Sequence, residues 1–249
     1  MDFTFIVQAR MGSTRLPGKI LLPFYEGHSI LELLIKKLFR IPNASVVVAT
    51  SEKEADDRIA EVAGKMGALV YRGAENDVLE RFIQAATFYR AQHIIRVCSD
   101  NPFLELASIG NLMERASENN VDYISFHIQG KPSIKTHYGF WTEYVTLDAL
   151  KRVAEMTSQT IYHEHVTNYI YEHPQLFDID WIKGPDILNG VNNIRLTIDT
   201  ETDFENARKI YMDICMDDLY PTIEKVVSYL QQHPECFIIM DEQIKMNSK

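Results

Sequence analysis

Three cations, Arg10, Arg15 and Lys19, crowd around Gly12, Ser13 and Gly18 in the stretch Gln8-Ala9-Arg10-Met11-Gly12-Ser13-Thr14-Arg15-Leu16-Pro17-Gly18-Lys19. The apolar run at residues 3–7 precedes it, so the pattern reads as a strand that opens into a basic, glycine-bearing loop. No acid lies between Phe3 and Tyr25, although the chain as a whole carries a net charge of −10. Such a loop suits a polyphosphate. Backbone N–H groups beside glycines can approach phosphate oxygens, and three fixed cations offset the roughly −4 charge of a nucleoside triphosphate. The loop is not a P-loop. Gly12 and Gly18-Lys19 are separated by one residue more than that motif allows, and Ile20 stands where the magnesium-binding hydroxyl should be. The bland alternative is a glycine-rich turn with solvated basic side chains.

Two aspartates could serve a metal. Asp100 follows the strand-like run 93–98, and Asp199 follows the run 195–198. Mg²⁺ prefers oxygen ligands, keeps several waters, and takes one or two protein carboxylates plus substrate phosphates. Composition alone leaves both open, because Asp100 before Asn101-Pro102 also suits a turn and Asp199 also suits a helix cap. Asp203 is read as structural, since Thr200 and Asp203 have capping-box spacing before a helix. Arg72 and Asp77 follow the short strand 69–71. They read either as contacts to a base or ribose, or as solvated charges with Asp77 capping a helix. His163-Glu164-His165 is not a metal motif, because positions two apart on a helix do not share a face. Ser13 and Thr14 lack a partnered acid–base set and read as phosphate contacts rather than nucleophiles.

The elements that must carry these residues alternate. Strands are expected at 3–8, 45–49, 69–71, 93–98 and 123–126, and helices at 29–40, 54–66, 78–90 and 106–119. The three consecutive valines at 46–48 suit a strand buried on both faces. This rhythm predicts an α/β fold, a mostly parallel sheet flanked by helices. Ligands on such sheets bind beyond the carboxyl ends of the strands, where 8–19, 72–77 and 100–102 all fall. From about 127 to 190 the rhythm breaks, with helical patterns at 147–156 and 162–172 and an extended one at 176–182. This segment is read as an excursion, or inserted arm, from a single domain spanning 1–249. A strand at 195–198 and closing helices at 205–215 and 223–232 complete the chain.

Hydrophobic residues make up 46% of the 249, enough for a substantial core. The acidic balance argues against a general nucleic-acid or anionic-membrane surface. Cys98, Cys215 and Cys236 are widely spaced with no C-x-x-C, which suits free thiols in a reducing cytoplasm rather than disulfides or zinc. The first strand begins by Phe3, so no signal peptide is expected. No apolar run approaches the roughly 20 residues of a membrane helix, and no membrane insertion is expected.

Several motifs together resemble the sugar cytidylyltransferases, and in particular the spore coat polysaccharide biosynthesis protein F group, with the CMP-Kdo and CMP-neuraminate synthetases as more distant relatives. The matching residues are the 8–19 loop, Arg72-Gly73 with Asp77-Val78-Leu79 and Arg81-Phe82, and Arg96 with Asp100-Asn101-Pro102. Glu164-His165-Val166-Thr167 and Arg195-Leu196-Thr197-Ile198-Asp199-Thr200 complete the set. The resemblance runs from about Phe3 to Tyr211. It implies a nucleotide-diphospho-sugar transferase-like fold and transfer of CMP from CTP to a sugar hydroxyl, with an acidic sugar as acceptor and pyrophosphate as product, in polysaccharide or glycoconjugate biosynthesis. It implies Mg²⁺ on Asp100 and Asp199, and Arg10, Lys19, Asp100 and Asp199 as catalytic residues. It places the nucleotide on Gln8, Ala9, Arg10, Gly12, Ser13, Arg15, Lys19 and Arg72. Asp77 stays open, and Glu164 and His165 fall near the acceptor or shape the site. A homodimer built through the inserted arm is implied, as in the related synthetases. The alternatives are a nucleotidyltransferase or glycosyltransferase of the same fold using another nucleotide, and a catalytically silent binding partner. One departure stands out. The family usually carries acids just before the glycine matching Gly139 and two residues after it, where this chain has Tyr138 and Trp141, while a later glutamate is kept as Glu143. Two aromatic faces there suit either contact with the acceptor or packing of the arm or an interface.

Overall fold

Ten strands and ten α-helices follow one another in the computed structural model, which describes residues 1–215 and 220–247. The strands are β1 Phe3–Gln8, β2 Pro23–Tyr25, β3 His28–Ser29, β4 Ala44–Ser51, β5 Leu69–Gly73, β6 His93–Cys98, β7 Tyr123–Ile128, β8 Lys131–Pro132, β9 Glu143–Thr146 and β10 Ile179–Lys183. The helices are α1 Ile30–Leu38, α2 Asp57–Lys65, α3 Val78–Phe88, α4 Leu106–Glu118, α5 Leu147–Met156, α6 Thr160–Glu164, α7 Asn168–Glu172, α8 Glu201–Ile214, α9 Ile223–Gln232 and α10 Pro234–Met246.

The main sheet runs β10-β7-β9-β6-β1-β4-β5, with β8 folded back on β7. The pairs β6-β1, β1-β4, β4-β5 and β10-β7 are parallel, while β9 runs antiparallel between β6 and β7 and β8 antiparallel to β7. The sheet is therefore mostly parallel, as the alternating pattern predicts. Its strands are apolar on both faces because both are covered. Phe5 and Val7 of β1 join Val46, Val48, Ile95 and Val97 in the core beneath α1, α4, α8 and α9. Ile6 points the other way, into a second core with Val47, Ala49 and Ile94 under α3 and α5.

The parallel register brings the ends of four strands to one edge. Gln8 at the end of β1 pairs with Ala49 on one side and Cys98 on the other. The loops after β1, β5 and β6 consequently leave from the same edge, the edge expected from sequence.

Four differences from the sequence reading have local causes. The excursion at 127–190 is only partial, since β9 and β10 both return to the main sheet. The helix expected at 162–172 is two short helices. His165 breaks it with φ −106° and ψ 60°, and Val166 and Thr167 are buried between the pieces. The strand expected at 195–198 is not a strand. Its backbone bonds to neighbouring loops instead, Leu196 N–H to His137 O at 2.8 Å and Ile198 N–H to Asp100 O at 3.1 Å. Helix α10 lies past the last helix expected from sequence. It packs Cys236 and Met240 into the core beside α8 and α9.

Gly139 is explained by the irregular segment. Its φ is +70°, and a Cβ there would meet the Leu196 carbonyl carbon at 3.1 Å. Only glycine lets the 139 turn lie against the chain that leads to Asp199.

Candidate active site

The basic loop after β1 folds back on one carbonyl. Met11 O accepts from Ser13 N–H at 2.8 Å and from Gly18 N–H at 3.1 Å. Gly18 has φ +68°, the left-handed conformation that favours glycine at this closing position. The loop is also tied to the sheet. Asp56, buried, accepts from Met11 N–H at 2.7 Å through one oxygen and from Ser51 N–H at 3.2 Å through the other. Ala9 is buried and donates its N–H to Ala49 O at 3.2 Å. Ser13 Oγ accepts from Leu16 N–H at 3.4 Å.

Lys19 links the loop to both aspartates. Its Nζ lies 3.0 Å from Asp100 Oδ2 and 3.8 Å from Asp199 Oδ1, and it also donates to Ile198 O. Arg15 reaches Asp199 Oδ1 at 3.0 Å from the loop's far side. Arg10 points elsewhere, 3.7 Å from Glu164 Oε1 on α6. Residues separated by up to 184 positions in sequence thus meet at one centre, with both carboxylates within 3.8 Å of a single ammonium.

Each aspartate has its own support. Lys37, buried on α1, donates to Pro102 O at 3.0 Å and Leu104 O at 2.7 Å, which fixes the loop that carries Asp100. Asp203 closes the capping box on Thr200 and also accepts from Asp199 N–H at 3.1 Å. Between them lies Arg195, whose fully buried side chain donates to Asp203 at 2.7 and 2.8 Å and to Asp199 Oδ2 at 3.1 Å. Burial works against this guanidinium's charge, but Asp203 and Asp199 outweigh it and raise its pKa above the ordinary value. The structural reading of Asp203 holds, and it positions Asp199 as well.

A cavity of about 610 Å³ opens beside the two aspartates. His137 and Lys135 line it from the segment after β8, and His165, Asn168 and Tyr171 from α6 and α7. Arg195 NH1 donates to His137 Nδ1 at 3.0 Å. Since a guanidinium can only donate, His137 Nδ1 accepts and the neutral ring carries its proton on Nε2. The cavity floor holds Arg96 and Glu143, a buried ion pair at 2.5 Å. Glu143 further accepts from Thr167 Oγ1 at 3.2 Å and from the Tyr123 hydroxyl. Thr167 of the Glu-His-Val-Thr motif therefore secures the floor, while Glu164 meets Arg10 and His165 lines the wall.

Arg72 and Asp77 sit at the end of β5. Arg72 braces a neighbouring turn, donating to Ser51 O at 3.0 Å and Lys53 O at 2.8 Å and pairing with Asp57 at 2.6 Å. Asp77 caps α3 through Glu80 N–H at 2.8 Å, and its other oxygen meets His163 Nδ1 at 2.8 Å. Fully buried Arg81 donates to Ala74 O and to Glu75 O at 3.2 Å, shaping the turn between them. Tyr138 and Trp141 are both buried. The Tyr138 hydroxyl donates to Val191 O at 2.9 Å. The Trp141 ring stacks on Phe126 at 5.5 Å, and its Nε1–H meets Ser108 Oγ at 3.2 Å. These contacts are those of packing residues, although Trp141 also touches the cavity.

Among the described residues no group of three or more His, Cys, Asp or Glu side chains could hold a metal ion. The donor set nevertheless suits a hard cation that draws the rest of its shell from water and phosphate. Asp100 and Asp199 supply carboxylate oxygens to a common centre. Asn101 Oδ1 and Thr197 Oγ1, buried close in sequence to them and lining the same cavity, have no hydrogen-bond partner among the described residues.

The cytidylyltransferase family profile matches residues 4–235, and the chain belongs to that family. It is 33% identical to the spore coat polysaccharide biosynthesis protein SpsF of Bacillus subtilis, over 84% of this chain and 86% of that one. It is 35% identical to an uncharacterized protein of Methanocaldococcus jannaschii, covering 94% of this chain and 93% of the relative. Among solved structures, a cytidylyltransferase from Leptospira borgpetersenii superposes with a TM-score of 0.84 at 27% identity, covering 95% and 97% of the two chains. A CMP:2-keto-3-deoxy-manno-octonic acid synthetase complexed with CTP shares the fold, with a TM-score of 0.64 at 14% identity over 84% of this chain and 98% of that one. The protein is a nucleotidyltransferase of the cytidylyl-transferring class.

Proposed function

We propose that this enzyme transfers CMP from CTP to a hydroxyl of an acidic sugar and releases pyrophosphate. The observation that carries this reading is the meeting of Lys19 and Arg15, from the glycine-bearing loop, with Asp100 and Asp199 at the mouth of a 610 Å³ cavity. The synthetase of the same fold that was captured with CTP supports the choice of nucleotide.

Without ligand, the cations and carboxylates neutralise one another. An arriving triphosphate gives Arg10, Arg15 and Lys19 a stronger anionic partner, and so frees Asp100 and Asp199 for a divalent cation, for which we propose Mg²⁺. Bound there, the ion would neutralise charge on the phosphate oxygens and acidify the attacking hydroxyl. The acceptor hydroxyl releases its proton to water, and its oxygen bonds to the α-phosphorus as the bond to the pyrophosphate oxygen breaks. Arg15 and Lys19 stabilise the leaving pyrophosphate, and no covalent enzyme intermediate is needed. Gln8, Gly12 and Ser13 line the nucleotide's path along the loop, and Arg72 holds the turn that borders it. In the cavity, Lys135, His165 and the Nε2–H of His137 suit the carboxylate of a sugar acid.

Binding is tested by thermal stabilisation with each nucleoside triphosphate in Mg²⁺. CTP is expected to raise the melting temperature most, in proportion to its concentration over Kd. Equal shifts with all four would remove the base preference, and no shift with any would remove the nucleotide site.

A further inference from the structure

Most of helix α10 lies past residue 235, where the match to the cytidylyltransferase family profile ends. We infer that this helix belongs to the catalytic apparatus, with Asn247, just past its end, serving as a positioning residue for Arg15. The inference rests on the reading that Arg15 binds the triphosphate of CTP.

The contacts form a closed circuit. Arg15 NH1 donates to Asn247 Oδ1 at 2.9 Å, while Arg15 NH2 lies 3.0 Å from Asp199 Oδ1. Asn247 Nδ2 donates to Gln243 O at 3.0 Å and to Gln243 Oε1 at 3.3 Å. Gln243 Oε1 also accepts from Thr200 Oγ1 at 3.0 Å. Thr200 follows Asp199 directly, so the circuit returns to its start. Gln243 is only 7% exposed, and Cys236 and Met240 on the same helix are buried in the main core, so the base of the circuit is rigid.

Arg15 needs such an anchor. Its side chain is 43% exposed on a loop that touches the sheet mainly through Met11 and Ala9. A long exposed side chain samples many rotamers, and ordering it on binding costs conformational entropy. Two partners on two different nitrogens hold the plane of the guanidinium, which leaves less freedom to lose when phosphate arrives. A planar fork held in place offers paired donors to phosphate oxygens, which a freely rotating one does not.

Steady-state kinetics on four proteins, native, Arg15→Ala, Asn247→Ala and the double variant, tests this. Arg15→Ala is expected to raise KM for CTP by about tenfold or more, and Asn247→Ala by about threefold to tenfold. The KM of the acceptor and the melting temperature should stay at native values in Asn247→Ala. The double variant should be no worse than Arg15→Ala alone, since Asn247 acts only through Arg15. Native KM for CTP in Asn247→Ala, or losses that multiply in the double variant, would overturn the positioning role. A native KM in Arg15→Ala would instead overturn the triphosphate reading of Arg15, and the inference with it.

Discussion

Asp199 has the most crowded environment of the site. Arg15, Lys19 and Arg195 all reach it within 3.8 Å, and Asp203 accepts from its N–H. Asp100 has Lys19 and is more open. Removing charge from either while keeping its shape separates chemistry from folding. Asp100→Asn and Asp199→Asn are each expected to lower kcat by about a hundredfold or more, with circular dichroism unchanged. A rate near native in either variant would remove that residue from the metal site. Lys19→Ala should raise KM for CTP, measured at saturating acceptor. At this scale the groups that converge on the cavity mouth are legible in the sequence, because glycines among cations and aspartates after strands are local patterns. The sequence is silent about the residues that hold them. Asp56 and Lys37 look in sequence like ordinary helix-surface charges. Only the fold shows that they are buried and bonded to backbone groups beside Met11 and Asp100.

Two elements respond to change in different ways. The pairing of β9 with β6 places Glu143 opposite Arg96, and both are buried. Glu143→Ala leaves a buried guanidinium without its carboxylate, and a loss of about 3–5 kcal/mol is expected in urea unfolding. A loss below about 1 kcal/mol would show that the pair is dispensable. Helix α6 carries a titratable contact at His163. His163 lies 3.0 Å from Thr157 O through Nε2 and 2.8 Å from Asp77 Oδ2 through Nδ1, so the protonated ring can donate to an acceptor from each nitrogen. The Thr157 carbonyl, and after it Asp77, raise its pKa above the ordinary 6.5 despite partial burial. A raised folded pKa means this contribution is full below pH 6.5 and is lost as pH rises through the folded value. The native protein minus His163→Gln should therefore show a stability difference that shrinks from acid to alkaline pH. A flat difference would remove the imidazolium bridge. The sequence marked these elements unevenly. Strands with apolar runs on both faces, such as β1, β4 and β6, were legible because periodicity records double burial. The segment 195–198 has the same composition as a strand, yet its N–H groups bond to loops, and periodicity does not record which partner a backbone finds. Helix α6 breaks before Val166 because tertiary burial of Val166 and Thr167 outweighs local helical preference.

The described residues build a mostly parallel sheet with the candidate site at one edge, and the segment between β7 and α8 supplies both sheet strands and cavity walls. Among the described residues no helix is long and apolar enough to cross a membrane. The homodimer expected through residues 127–190 has to be built from what that segment leaves outside. Tyr138, Phe140, Trp141 and Tyr144 are used in the protein's own core, whereas Met156, Ile161 and Leu176 are exposed. A dimer in sedimentation at micromolar concentration that dissociates in Ile161→Asp is the expected outcome, and a native monomer contradicts it. Cytidylyl transfer at this site is tested most directly by pyrophosphate release from CTP and Mg²⁺ with a panel of acidic and neutral sugars, with Asp100→Asn run in parallel. Release is expected to require an acidic sugar, to prefer CTP over UTP, ATP and GTP, and to fall to background in the variant. Release with neutral sugars only, equal release from all four nucleotides, or full activity in Asp100→Asn would contradict that expectation.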